Sequence, residues 1–266
     1  MLAHECACYV INLDRSPDRL ASMTAHLSAA GIAFERVAGI DGMLLSDAQL
    51  QAQMRENRHY KPLRRGEVGC YLSHLKALQC FIASSLPYAL ILEDDVVVSD
   101  DVSALVAAAI QLRGRTGDAR LAWDVLKLAN GRPRLIELAP LDARHWLVEY
   151  GPSVPIGAYA ALWTRDGAMR WLQQFRGVSR PIDCDLQHPW EYGLCIRSVH
   201  PAPVTSGADS VMGSDVLVTR SPWPKLRYEG RRFVRKWRYF VDSYGWRFML
   251  PWLWRRRLSN HPQARD

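Results

Sequence analysis

The chain has 266 residues, 48% of them hydrophobic and 23% charged, with a formal net charge of +7. That length and balance suit one globular body with a sizeable core and at most a small appendage, and no stretch is long and apolar enough to span a bilayer. The charge is uneven: residues 222–257 hold eleven Lys/Arg against Glu229 and Asp242, or +9, which leaves −2 for the rest and makes body and tail separate problems.

In chain order, Cys8–Leu13 reads as a first strand. Ser16 then stands as an N-cap, with Pro17 at the first helical position. Leu20, Met23, Leu27 and Ala30 follow at helical spacing and Gly31 suits the helix end. Phe34–Ile40 reads as a second strand closed by Asp41-Gly42, so a βαβ unit is expected. A polar helix near 46–57 precedes a buried-face helix over Cys70–Ser84. Tyr88–Leu92 is a short apolar run after Pro87 and reads as a buried strand. A helix over about 102–112, a loop over 113–120, a strand over Trp123–Leu128, further short strands within 130–165 and a helix over Gly167–Phe175 complete the body. Alternating elements of this kind imply one mixed or mostly parallel sheet flanked by helices.

The six cysteines form no CxxC pair and have no neighbouring His to complete a zinc pattern, so free thiols in a reducing compartment are expected. Acidic Glu5 and Asp14 interrupt the N-terminus before any secretory pattern develops, and a cytoplasmic location is expected.

Glu93-Asp94-Asp95 ends the apolar strand. Ligands of open α/β sheets gather at the carboxyl ends of strands, and alternation places Glu93 and Asp95 on one face and Asp94 on the other. Two carboxylates there suit Mn²⁺ or Mg²⁺ holding a phosphate-bearing substrate; a solvated acidic turn is the plain alternative. Asn12 and Arg15 lie just past the first strand, where an amide and a guanidinium suit a base edge and phosphate oxygens. Asp41 can take a ribose hydroxyl or simply make an Asp-Gly turn. Ser73, His74 and Lys76 fall near an expected helix start, where backbone N–H groups attract phosphate. No Gly-rich phosphate loop is present, which argues against kinase or NTPase chemistry.

Four segments, Val10–Arg19, Ala38–Gly42, Gly66–His74 and Leu90–Val96, in this order and spacing resemble glycosyltransferase family 25, the lipopolysaccharide and lipooligosaccharide sugar transferases related to collagen galactosyltransferases. Asp124–Leu128, Gly157-Ala-Tyr159 before Gly167-Ala168, and Pro181-Ile-Asp183 extend the resemblance over roughly residues 8–210. It implies a GT-A-like, Rossmann-type mixed sheet, a nucleotide-sugar donor (commonly UDP-galactose), a divalent cation and transfer with inversion. On that reading Glu93 and Asp95 hold the cation, Asp95 takes part in catalysis, and Asn12, Arg15, Asp41, Ser73, His74, Lys76 and Asp94 surround the donor. Asp94 can equally bind a basic neighbour, and Arg19 suits a structural pairing. Inverting transfer needs a base for the acceptor hydroxyl; Asp183, Asp185 and Glu191 are candidates, with Asp183 favoured by Pro-x-Asp. His188 and His200 are candidates for a third metal ligand.

The division expected is a glycosyltransferase domain over 1–218 and a basic amphipathic tail over 219–266. Within 230–250, Phe233, Trp237, Phe240, Val241, Tyr244 and Phe248 share one helical face, with Arg231, Arg232, Arg235, Lys236 and Arg238 on much of the remainder. Pro251–Trp254 and Arg255–Arg257 follow. Such a helix suits an anionic membrane surface, here the inner face of a bacterial inner membrane next to a lipid-linked saccharide acceptor; packing on the body is the alternative. A nucleic-acid-binding tail would leave the acidic strand unexplained, so no nucleic acid is expected. A metal-dependent nucleotide-sugar hydrolase is the remaining alternative.

Overall fold

In a computed structural model, the described residues are 2, 4–115, 118–129, 135–150, 154–207 and 223–244. The elements run β1 (Cys6–Asn12), α1 (Pro17–Ala29), β2 (Glu35–Ala38), α2 (Asp47–Gln53), α3 (Arg65–Ala83), β3 (Tyr88–Glu93), β4 (Val96–Val98), α4 (Val102–Arg115), β5 (Val125–Lys127), β6 (Leu135–Pro140), β7 (Trp146–Tyr150), β8 (Ala160–Thr164), α5 (Arg165–Gln174), α6 (Ile182–Leu186), α7 (Pro189–Tyr192), β9 (Ile196–His200), β10 (Val204–Ser206) and α8 (Trp223–Tyr244). Eight strands form one sheet in the order β2-β1-β3-β8-β5-β9-β7-β6, and β4 pairs with β10 in a small second sheet.

The chain is thus a mixed α/β fold with helices on both faces of a large sheet. The pairings β1–β2, β1–β3 and β5–β9 are parallel, and the four others in the sheet are antiparallel. The sheet is therefore mixed, because β8 runs antiparallel between β3 and β5. Alternation along the strands sorts the core into two layers. Tyr9 and Ile11 of β1 and Ala89 and Ile91 of β3 pack with Tyr71, Leu78 and Phe81 of α3 and Trp171 of α5. Cys8 and Val10, with Leu90 and Leu92, pack with Met23 and Leu27 of α1 and Val106 and Ile110 of α4. Each fully buried aliphatic side chain of this kind contributes about 1.5–3 kcal/mol, so strand parity fixes which face each strand end serves.

Some boundaries differ from the sequence expectation for local reasons. Helix α3 begins at Arg65, five residues before the expected start, where the Glu67 side chain accepts from the Arg64 N–H at 2.7 Å. Gly69 is therefore helical, and its missing side chain matters: a Cβ there would lie 2.5 Å from the Gly42 nitrogen and the Ile40 oxygen. The 39–42 loop can rest on α3 only because of that gap. Helix α2 stops at Gln53 because the next residues extend, with Met54 bridging to Val178 and the Arg55 and Arg58 N–H groups donating to Val178 and Ser179. Helix α4 reaches Arg115, beyond the expected end at 112. Ser16 occupies the N-cap position of α1 with Pro17 behind it, although its hydroxyl makes no capping bond.

Helix α8 packs on the body. The Tyr239 hydroxyl donates to the Leu194 carbonyl at 3.1 Å, Arg235 pairs with Glu191 at 3.3 Å, and the Tyr228 ring meets that of His59 edge-on at 5.5 Å. No helix among the described residues is long and apolar enough to cross a membrane. The expected boundary at 218/219, and Phe248, Pro251–Trp254 and Arg255–Arg257, lie outside the described residues.

Candidate functional site

Glu93 is the last residue of β3, and Asp94 and Asp95 form the turn into β4. Glu93 continues the parity of Ala89 and Ile91 and so faces α3, where its Oε1 lies 3.0 Å from His74 Nε2. Asp94 falls on the other side and accepts from Asn12 Nδ2 at 2.6 Å, with Arg19 Nη1 at 3.5 Å. The turn swings Asp95 off strict alternation, and its carboxylate stands 4.0 Å from the same Arg19. Burial first, then the negative charge of Glu93, pushes the Asp95 carboxyl above the usual range, with Arg19 opposing. A half-buried carboxylate beside a second carboxylate, with a guanidinium only at arm's length, lacks positive charge.

Cys70 shows what gathers around this point. Its thiol is pushed well above its ordinary value by burial and then by the charges of Glu93, Asp183, Asp95 and Glu67. Acids from β3, from the turn after it and from α6 thus converge on the N-terminal half of α3. The Tyr159 phenol, raised by burial and by Glu93 and Asp95, lines the same place. Its carbonyl accepts from the Glu93 N–H at 2.9 Å. The Gly157 backbone has φ +106, and a Cβ there would strike the Tyr159 ring at 2.7 Å.

The three acids considered as bases differ in their partners. Asp185 is buried and held by Arg180 at 2.5 Å, Tyr71 at 2.8 Å and Tyr192 at 3.0 Å. Glu191 is bound by Arg180 at 3.0 Å, Arg58 at 3.4 Å and Arg235 at 3.3 Å. Both acids anchor the α6–α7 segment against α3 and α8. Asp183 is half-buried, and its carboxylate accepts from the Cys184 N–H at 2.7 Å. Its charge reaches both Cys70 and Lys127. Lys127 is fully buried in β5, donates to the Pro155 carbonyl at 2.7 Å, and has its ammonium pushed down to about 7 by burial, against the pull of Asp183.

Several expected donor contacts take other work. Because α3 starts at Arg65, Ser73, His74 and Lys76 lie more than two turns inside it, where their backbone N–H groups are engaged by the helix. The phosphate argument from a helix start does not apply to them. Ser73 is buried, with its hydroxyl accepting from the Ile40 N–H at 2.8 Å and donating to the Gly69 carbonyl at 2.7 Å. Lys76 donates to the Ala38 carbonyl at 2.8 Å. Both hold the 38–42 loop, and Lys76 also lines a cavity of about 720 Å³ with Ile40, Leu75, Leu172 and Phe175. Asn12 is buried, and its amide donates to Ser16 O and Asp94 while accepting from Arg36 Nε, so it presents no free polar atom to a donor. Arg15 is exposed and pairs with Asp41 at 2.8 Å, and the Asp41 carboxylate also accepts from the Met43 N–H.

Among the described residues, Cys70, His74 and Glu93 bring three ligand atoms within 4.8 Å of one another. His188 takes no part: its Nδ1 bonds to the Cys184 carbonyl and its ring packs on Trp190 and Tyr228. His200, at the end of β9, feels Glu137 and His145 rather than Glu93, Asp95 or Asp183. His74, on α3, is the imidazole beside Glu93. Asp101, Asp142 and His145 form a second group, in which Asp142 bonds to the His145 ring at 3.0 Å and Asp101 to Arg144. Cys70, Tyr159 and Lys127 were not singled out from the sequence. A lysine inside the apolar run Val125–Leu128 was the available signal for the last.

Residues 6–118 match the family model described as Glycosyltransferase family 25 (LPS biosynthesis protein). A "Glycosyltransferase 25 family member" of Aedes aegypti is 30% identical over 163 residues, covering 59% of this chain and 25% of the relative. Procollagen galactosyltransferase 2 of Mus musculus is 28% identical, covering 55% and 26%. A human relative named "Inactive glycosyltransferase 25 family member 3" is 27% identical over 238 residues, covering 81% and 39%. The chain thus spans about a quarter to two fifths of the length of these relatives. Among solved structures, a Drosophila beta-1,4-galactosyltransferase 7 variant with manganese, UDP-Gal and xylobiose aligns at TM-score 0.35 and 14% identity, covering 73% of this chain and 64% of that one; so remote a likeness carries no argument here. The family match over residues 6–118 and the relatives that carry the family's name support a glycosyltransferase family 25 protein.

Proposed function

We propose that the chain transfers a hexose, with inversion, from a nucleotide-sugar donor to a saccharide acceptor. UDP-galactose is the leading donor, and a lipopolysaccharide, lipooligosaccharide or other lipid-linked saccharide the leading acceptor. The observation that carries this reading is the acidic end of β3, where Glu93 lies 3.0 Å from His74 and groups with it and Cys70 within 4.8 Å, and Asp94 and Asp95 follow in the turn. The relatives named as galactosyltransferases support a hexose donor.

The residues present fit a divalent cation of the Mn²⁺ or Mg²⁺ class. Asp95 is a carboxylate raised by burial and by the charge of Glu93, and His74 lies 3.0 Å from Oε1 of Glu93. Glu93 and Asp95 would hold the ion, which as a Lewis acid offsets negative charge on a departing diphosphate. Asp183 takes the proton of the attacking acceptor hydroxyl, a contribution of about 10²–10⁴. Lys127, buried in β5, feels the charge of Asp183. Arg15 stands exposed at the end of β1 to meet donor phosphates, with Asp41 holding its guanidinium. Asn12 and Asp94 act as the frame beneath them, and Ser73 and Lys76 keep the 38–42 loop in place. Tyr159 covers the acids from the β8 side.

The test is a panel of nucleotide-sugar donors, with and without Mn²⁺, followed by saccharide acceptors. Transfer that needs both cation and acceptor is the expected result. Donor breakdown that no acceptor accelerates would replace this reading with a hydrolase, and cation-independent transfer would remove the Glu93–Asp95 assignment.

A further inference from the structure

We propose that α8 docks on an anionic lipid surface through the face it turns away from the body. At 100° per residue, Tyr228, Arg232, Arg235 and Tyr239 share one stripe, and that stripe meets the body. Tyr228 packs near His59 and His188, the Arg232 side chain is only 10% exposed, Arg235 pairs with Glu191, and Tyr239 bonds to Leu194. The opposite stripe holds Trp223, Leu226, Phe233 and Val234, which are 67%, 63%, 55% and 67% exposed, while Trp237 and Val241 further along it are partly buried. A helix stabilised only by packing on its own domain would turn these four inward, since burying each is worth about 1.5–3 kcal/mol. Here the polar, tyrosine-bearing face is the docked one.

Charge selects the occupant. Arg227, Arg231 and Arg238 flank the apolar stripe on one side, all exposed, with Arg238 reaching Asp242 only at 3.8 Å. Each Lys/Arg held near an anionic bilayer contributes about 1 kcal/mol, and tryptophan suits the headgroup level. A second copy of the chain on this face would bring the same arginines together, like against like. A nucleic acid would engage the arginines and leave the apolar side chains in water.

The docked stripe also explains why the surface matters for the proposed reaction. Helix α8 grips Glu191 and the His188 ring, in the α6–α7 segment that carries Asp183. Lipid docking therefore holds the segment that carries Asp183 near the bilayer, where a lipid-linked saccharide presents its hydroxyl. That last step rests on the transfer reading, and the docking does not.

The experiment is co-sedimentation of the full chain with phosphatidylglycerol-containing vesicles and with phosphatidylcholine vesicles, without donor or acceptor. Binding to the first and not the second is expected. Leu226→Glu with Phe233→Glu should weaken it about tenfold or more, the scale of one apolar side chain's burial. Circular dichroism and transfer to a water-soluble acceptor should stay unchanged in that variant. Equal indifference to both vesicles, undiminished binding by the variant, or a wild-type dimer that the variant dissolves would each overturn the proposal. A chain that binds vesicles yet transfers no sugar would keep it and sink the transfer reading.

Discussion

Asn12 Nδ2 donates to Asp94 Oδ2 across 2.6 Å, tying the end of β1 to the middle acid of the triplet. The same amide also bonds to the Ser16 carbonyl and takes Arg36 Nε on its oxygen. One buried side chain thus holds the first loop, the second strand and the acidic turn in register. Asn12→Ala leaves these partners unsatisfied and should cost about 1–3 kcal/mol. Urea unfolding measures it, and a loss of donor affinity with unchanged stability would show instead that the amide meets the donor.

Asp95 carries a carboxyl that folding disfavours in its charged form, through burial and Glu93. A raised carboxylate pKa means the folded chain binds more protons than the unfolded one within that window, so stability falls as pH rises through it. Asp95→Asn should therefore melt no lower than wild type at neutral pH. Its cation-dependent turnover should fall roughly a thousandfold or more. A variant that keeps full activity removes Asp95 from the site.

Among the described residues, Asp183 is the acid of the α6–α7 segment whose carboxylate pairs with no arginine. Asp183→Asn should lower kcat by about 10²–10⁴ while the donor KM stays near wild type. Asp185→Asn should instead act on stability, because it removes the charge facing buried Arg180. Steady-state kinetics set beside thermal melts separate the two.

Lys127 supplies a pH signature. Its ammonium is held down to about 7 from an ordinary 10.5, by burial first and with Asp183 opposing. Between those values the unfolded chain binds more protons than the folded one, so this group's destabilisation is fully present below about pH 7 and fades as pH rises. The effect is on the order of a few kcal/mol. The melting temperature should climb from pH 7 toward pH 9, and Lys127→Met should flatten that climb. An unchanged slope in the variant would contradict the burial of a titrating lysine.

Sequence alone gave the β1–α1–β2 unit, the acidic end of β3, an amphipathic helical face within 230–250 and the resemblance to the family, because periodicity, turn residues and short ordered motifs are local properties. The resemblance also favoured Asp183 over Asp185 and Glu191, through the local Pro-x-Asp motif. Tertiary structure supplied what the motif could not, the partners Arg180, Tyr71 and Tyr192 that hold Asp185. It likewise moved Ser73, His74 and Lys76 from a helix start to a helix interior, since Gly69 lets the 39–42 loop press on a helix that begins at Arg65. The direction of β8, the imidazole beside Glu93 and the outward face of α8 were also decided there. A sequence fixes which side chains share a face; only the packed chain fixes what that face meets, because partners come from segments far away along the backbone.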